Sequence, residues 1–136
     1  MPVTANSIIT PQTPQSASVA LAATANTNLI TPANTTLLLT AGASGGRLTR
    51  LEALANATQA ASQAQFYRSV DGGTTKTLLR AKAFAAYTLT TTSEIPVTDF
   101  GYSDDNPLIL AANEKVYAGS AVAVTGMIAR AEWADY

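Results

Sequence analysis

Neither cysteine nor histidine occurs among the 136 residues. The first absence excludes a disulfide framework, a thiolate nucleophile and a cysteine-type zinc site. The second removes the commonest general base, the commonest metal ligand and the middle member of a Ser/His/Asp triad. Charge is scarce as well. Lys plus Arg is 8, Asp plus Glu is 9, and only 12% of residues are charged. That is about half the usual share. The basic residues form no cluster, and a nucleic-acid partner requires one. A sparsely charged surface is a solubility liability for a free chain and suits one packed against other proteins. No apolar run approaches the roughly 18 residues of a membrane span. The two most apolar runs, "ASVALAATA" and "AGSAVAVTG", are short and interrupted. The stretch "MPVTANSIITPQTPQSA" lacks the basic and apolar regions of a secretory signal. The expectation is a soluble chain made in the cytoplasm, with no membrane partner.

What is present reads as β-structure. Residues 1–16 hold Pro2, Pro11 and Pro14 among small polar residues, which predicts an extended arm. Residues 17–136 then read as one sandwich domain, a length that one core can serve. Strands are expected at 17–24 and in "TLLLTAG" (36–42), with the Asn- and Pro-rich stretch 26–36 as a turn region between them. In 76–83, Lys76, Leu78, Arg80 and Lys82 alternate against Thr77, Leu79, Ala81 and Ala83, which predicts a strand with its basic side outward. A strand fragment and loop follow at 93–107, then "PLIL". Val116, Ala118, Ser120, Val122 and Val124 alternate over 115–124. Met127, Ala129, Ala131 and Trp133 do so over 127–136, placing Trp133 on the apolar side of its strand.

The stretch "GGRLTRLEALANATQAASQAQFYRSVDGG" (45–73) is ambiguous. Ala, Leu, Arg, Glu and Gln favour helix, and Leu48, Leu51, Leu54 and Ala55 have helical spacing. Against helix stand the Gly45-Gly46 start, with no N-cap, and the interruptions at Asn56, Thr58 and Ser62. The downstream hairpin also needs a partner for its first strand. The stretch is therefore read as a strand at 46–55, a connection at 56–62 and a strand at 63–70. Roughly eight strands at intervals of about 8 to 14 residues predict an all-β antiparallel sandwich or barrel.

Candidate motifs yield to structural readings. Ser69, Asp71, Gly73 and Thr75 fit the start of an S-x-D-x-G-x-T box. The box occurs once, and Lys76 stands where an aromatic residue is expected. A hairpin turn suffices: Asp71 bonds backbone donors, while Gly72 and Gly73 supply positive φ. In "DFGYSDDNP", Asp99, Asp104, Asp105 and Asn106 offer oxygen ligands, but not at EF-hand spacing. A solvated acidic loop is expected there. Tyr67, Tyr87, Tyr102, Tyr117 and Trp133 could form a sugar-stacking platform, against the plainer reading as core and interface residues. No catalytic, cofactor-binding or metal-binding residue is assigned, and no cofactor is expected.

One resemblance spans residues 36–136. The order "GRLTRLEALANAT…AQFYRSVDGGTTKTLL…IPVTDFGYSDDNPLILAANEKVYAGSAVAV…AEWADY" resembles small jelly-roll virion proteins of tailed phages and prophages. In those chains an "R(I/L)TRL" strand precedes an Ala- or Thr-rich connection, a "lFyrSxDGGtt" hairpin, "LiLpAneriya" and a terminal "aEyaDy". The resemblance implies a jelly-roll-like β-sandwich and a non-enzymatic capsid decoration (cement) protein on the virion exterior. The implied partners are the major capsid protein and further copies of the chain, as dimer or trimer. Ordering an arm costs on the order of 1 kcal/mol per residue, so apolar anchors are needed, and Val3, Ile8 and Ile9 are the candidates. The alternative is a head-fibre or tail-associated module that recognises a host glycan through its tyrosines and the 99–107 loop.

Overall fold

Residues 45–73 form two strands. The computed structural model describes residues 10–136, and among these it contains no helix and nine strands. They are β1 (Thr13–Ala20), β2 (Thr36–Thr40), β3 (Gly46–Ala55), β4 (Ser62–Ser69), β5 (Thr77–Phe84), β6 (Val97–Asp99), β7 (Leu108–Leu110), β8 (Lys115–Ser120) and β9 (Met127–Asp135).

The helix-like spacing within β3 has a strand explanation. The register against β9 slips between Leu48 and Arg50, leaving Thr49 as an inserted residue. A bulge puts one extra residue into a strand and shifts the side-chain alternation by one. Leu48 and Leu51 therefore both face inward and are fully buried, although three apart in sequence. Ala53 and Ala55 continue the inward set. Leu54 does not belong to it and is half-buried on the other face.

The pairings are nested. β4 pairs β5 next to the 70–76 turn, β3 pairs β6 and β7, β2 pairs β8, and β1 pairs β9. The chain is thus one long antiparallel ribbon folded back at the 70–76 turn. Rolling that ribbon up adds the pairs β3·β9 and β4·β8. The result is two antiparallel sheets, β1-β9-β3-β6 (with β7 beside β3) and β2-β8-β4-β5. This alternation of nested pairs between two sheets is the jelly-roll arrangement of a β-sandwich. β6 and β7 lie end to end along β3, opposite Leu54–Glu52 and Leu48–Gly46, so they count as one strand broken by a loop.

The two sheets meet over a single core. Sheet one contributes small side chains, Ala53, Ala55, Ala129 and Ala131, beside Leu48, Leu51 and Met127. Facing elements contribute bulk: Phe66, Phe84, Leu38, Leu39 and Val116. Phe66 and Phe100 meet edge to face, 4.6 Å between centroids at 86°. Alanine is abundant because interdigitating layers need small residues opposite large ones. Trp133 is 8% exposed on the inward side of β9, as its alternation predicts.

Three local expectations need correction. The first strand begins at Thr13 rather than 17, so residues 13–16 of the expected arm are paired with β9. The strand expected over 115–124 ends at Ser120, whose hydroxyl donates to Val122 O at 2.8 Å and bends the chain away. Arg80 and Lys82 of β5 are exposed, as expected, but not on the outer face of the sheet. A register shift between Phe66 and Tyr67 makes Leu79 an inserted residue. Leu78 stays on the outer side opposite Tyr67, while Arg80 and Lys82 pair with the inward residues Phe66 and Ala64. Their cations reach across the open side of the sandwich to the backbone at the end of β6. Lys82 Nζ donates to Asp99 O at 2.8 Å, and Arg80 donates to Phe100 O.

Candidate binding surface

The outer face of the β1-β9-β3-β6 sheet is concave. Two adjoining concavities of about 440 and 490 Å³ share Thr49, Asp104 and Glu132 and form one trough. Its floor follows from the strand register. Arg50 lies opposite Glu132 and Glu52 opposite Arg130, which sets two crossed ion pairs on β3 and β9. Arg50 and Glu132 are 3.5 Å apart and half-exposed, so that pair is worth at most about 1 kcal/mol. Glu52 is nearly buried and is held by Arg130. One end of the trough is closed by Pro11, Pro14, Gln15 and Trp133. The other is walled by Val97, Asp99, Tyr102 and Ser103.

The wall is the 99–107 loop. It leaves the sheet where the bulge at Thr49 interrupts the ladder, and it is tied down at both ends. Phe100 is fully buried, and its N–H donates to Leu51 O at 2.9 Å. Arg47 donates to Asp104 O. Within the loop, Asp99 accepts from Gly101 N–H at 3.0 Å, and Asn106 donates to Gly101 O at 3.1 Å. Two of the four oxygen-bearing side chains predicted as possible ligands thus close the loop itself. Among the described residues, no three Asp or Glu side chains gather where they could hold a metal ion.

The aromatic residues do not form one platform. Tyr67 is fully buried in the middle of β4. Tyr117 lies under the hairpin tip, with Lys76 Nζ 4.6 Å from its ring centroid. Tyr87 packs against the core from the segment that bridges to Gln59. Tyr102 alone of the tyrosines lines the trough, with the Arg80 guanidinium 5.8 Å from its centroid.

At the fold of the ribbon, Gly72 and Gly73 have φ of 78° and 101°. A Cβ on Gly73 would lie 2.2 Å from the Tyr117 hydroxyl, so the tip can lie on that ring only with glycine there. The Asp71 carboxylate accepts from Thr75 N–H at 2.9 Å and from the Ser69 hydroxyl at 2.7 Å. The Thr75 N–H, then the Ser69 hydroxyl, lower its pKa to about 2. A depressed carboxylate contributes stability that is complete above its unfolded pKa, near 4, and is lost as pH falls toward about 2. Asp71→Asn should therefore flatten the acid limb of stability. Urea unfolding at several pH values should show the largest gap from wild type above pH ~4 and convergence near pH ~2. Parallel curves would contradict this role.

The opposite sheet is covered. Its outer face carries Gln63, Gln65 and Tyr67, and the 21–35 segment crosses over them. Asn26, 2% exposed, pins this strap: its amide donates to Tyr67 OH at 2.7 Å and to Gln65 Oε1 at 2.9 Å. Its backbone N–H donates to Ser120 O at 2.7 Å, and its Oδ1 accepts from Ala33 N–H at 3.2 Å. Burial raises the Tyr67 phenol pKa. Sequence reasoning missed this network. Its signal was Gln63, Gln65 and Tyr67 alternating on one strand face, polar groups that need partners once covered. Ile30, within the strap, is 86% exposed, and Leu37, Val70 and Leu78 are exposed as well.

The proposed arm anchors Val3, Ile8 and Ile9 lie outside the described residues. The described chain enters at Thr10, and Gln12 N–H donates to Asp135 O at 2.8 Å. No protein-family model, curated protein or solved structure matches this chain.

Proposed function

We propose that the chain is a non-enzymatic structural protein of a phage virion that decorates and reinforces the outside of the capsid. The observation that carries the reading is the nested jelly-roll ribbon, whose N-terminal segment feeds directly into an edge strand. A jelly roll supplies a rigid body, and 12% charge leaves a surface suited to burial against neighbouring subunits. Exposed Ile30, Leu37, Val70 and Leu78 add apolar contacts. The arm, anchored through Val3, Ile8 and Ile9, lies along the major capsid protein or a sister copy. Its avidity is multiplied by homo-oligomerisation. The mechanism needs no cofactor and no chemistry.

Deleting residues 2–12 tests the arm, because the deletion stops just before β1 begins at Thr13. The truncated protein is expected to keep its β-type circular dichroism. It should bind capsids at least about tenfold more weakly, a loss of roughly 1.4 kcal/mol. Undiminished decoration by the truncated protein would remove the arm from the mechanism.

One observation favours a second reading, a head-fibre or tail-associated module that binds a host glycan. The trough carries Tyr102 beside Ser103, Asp104, Arg50 and Glu132, an aromatic face among hydrogen-bonding groups. Micromolar glycan binding that Tyr102→Ala abolishes would favour this reading over decoration.

A further inference from the structure

Sheet edges expose unpaired backbone groups, and native proteins blunt the edges they do not use. Three of the four edges here are blunted. The β6/β7 edge consists of two three-residue pieces. β2 has five residues and a register shift at Leu38. β5 is bulged at Leu79 and carries Arg80 and Lys82. β1 differs in length, register and charge, and its one blunting residue, Pro14, sits near its start. It runs for eight residues in unbroken register from Thr13↔Asp135 to Ala20↔Ile128 and holds no charged side chain.

We propose that β1 is the seam of a homodimer, pairing antiparallel with β1 of a second copy across a two-fold axis. The proposal deepens the self-association in the reading above, but mass in solution tests it independently of capsid binding.

The backbone groups are set for such pairing. Leu21 N–H donates to Met127 O at 2.9 Å, one step past the Ala20↔Ile128 pair. Hydrogen-bonded pairs alternate along an antiparallel ladder. Gln15, Ala17 and Val19 therefore turn their groups toward β9, and Ser16, Ser18 and Ala20 turn theirs toward the open edge. Pro14 falls in the outward set, where its missing N–H leaves no gap in the β1·β9 ladder.

A second copy fits this edge for three reasons. A two-fold axis sets the central side chain against its own counterpart, and an uncharged strand has no like-charge repulsion to overcome there. The outward donors form a self-complementary set: a register centred on Ser18 pairs Ser16 with Ala20 of the second copy. That register leaves Pro14 outside the paired stretch. Finally, Ala17 and Val19 pack against the core but stay only partly buried, so a second strand extends the apolar layer over them.

Sedimentation equilibrium of the full chain across micromolar concentrations tests this. The expected result is a dimer for the wild type and a monomer for Ser18→Pro. The circular dichroism should be unchanged, because the Ser18 N–H serves no bond to β9. Ser18→Lys, which sets two cations across the axis, should weaken the dimer about tenfold or more, and it decides the matter if Ser18→Pro does not fold. A wild type that stays monomeric overturns the proposal, as does dimerisation of the lysine variant at wild-type strength. A monomeric wild type whose capsid binding is lost in Ser18→Lys would overturn it in favour of a capsid strand at this edge.

Discussion

Glu114→Ala is expected to lower stability by about 3 kcal/mol, the low end of the range for breaking a buried ion pair. The Glu114 side chain is fully buried in the turn between β7 and β8. It grips the Arg68 guanidinium through both oxygens, with Arg68 Nη2 2.8 Å from Oε2. The same Oε2 accepts from Ala111 N–H at 2.7 Å. The hydrogen bond to this carboxylate raises the Arg68 pKa, which favours the guanidinium's charge. Alanine leaves a part-buried cation and an amide without their acceptor. Arg68 keeps 35% of its side chain exposed and can recover some water, which sets the loss at the low end. Glu114→Gln keeps one acceptor for Ala111 and should lose less. Urea unfolding ranks the three proteins; equal stability of alanine variant and wild type would show that the pair contributes nothing.

Asn26→Ala is expected to cost about 2 kcal/mol, because two buried hydrogen bonds, to the Tyr67 hydroxyl and to Gln65 Oε1, are lost together. The Tyr67 hydroxyl loses its donor, and Ala33 N–H loses its acceptor. Gln65 Oε1 keeps only the Tyr67 hydroxyl. The loss should be local before it is global. Hydrogen exchange of the amides at positions 26 and 33 is expected to accelerate much more than exchange in β3 and β9. Uniform acceleration across both sheets would mean that the strap is integral to the core rather than laid over it.

The all-β class, the split of residues 45–73 into two strands and the inward face of β9 were legible in the sequence. The class and the β9 face depend on period-two alternation, whereas the split rested on the missing N-cap at Gly45-Gly46, the interruptions at Asn56, Thr58 and Ser62, and the hairpin's need of a partner strand. Bulges were not legible, because an inserted residue leaves no composition signal. The bulge at Thr49 made Leu48 and Leu51 look helical, and the bulge at Leu79 put Arg80 and Lys82, still exposed, on the same side of the sheet as Phe66 and Ala64. The end of β8 was also hidden. Ser120 breaks the strand by a local hydroxyl bond, although Val122 and Val124 continue the pattern. The trough lies further from the sequence still. It joins β1, β3, β9 and the 99–107 loop, whose proximity arises only from rolling up the ribbon. The loop itself was recognisable as acidic and polar, but not as the wall of that trough.

The most direct test of the account is cosedimentation of the purified full-length chain with assembled, emptied capsids of the particle it is made with. Decoration predicts saturable binding in fixed proportion to the capsid subunits and shells that resist heat or low salt longer when coated. No binding to shells, together with glycan binding that Tyr102→Ala abolishes, would contradict it.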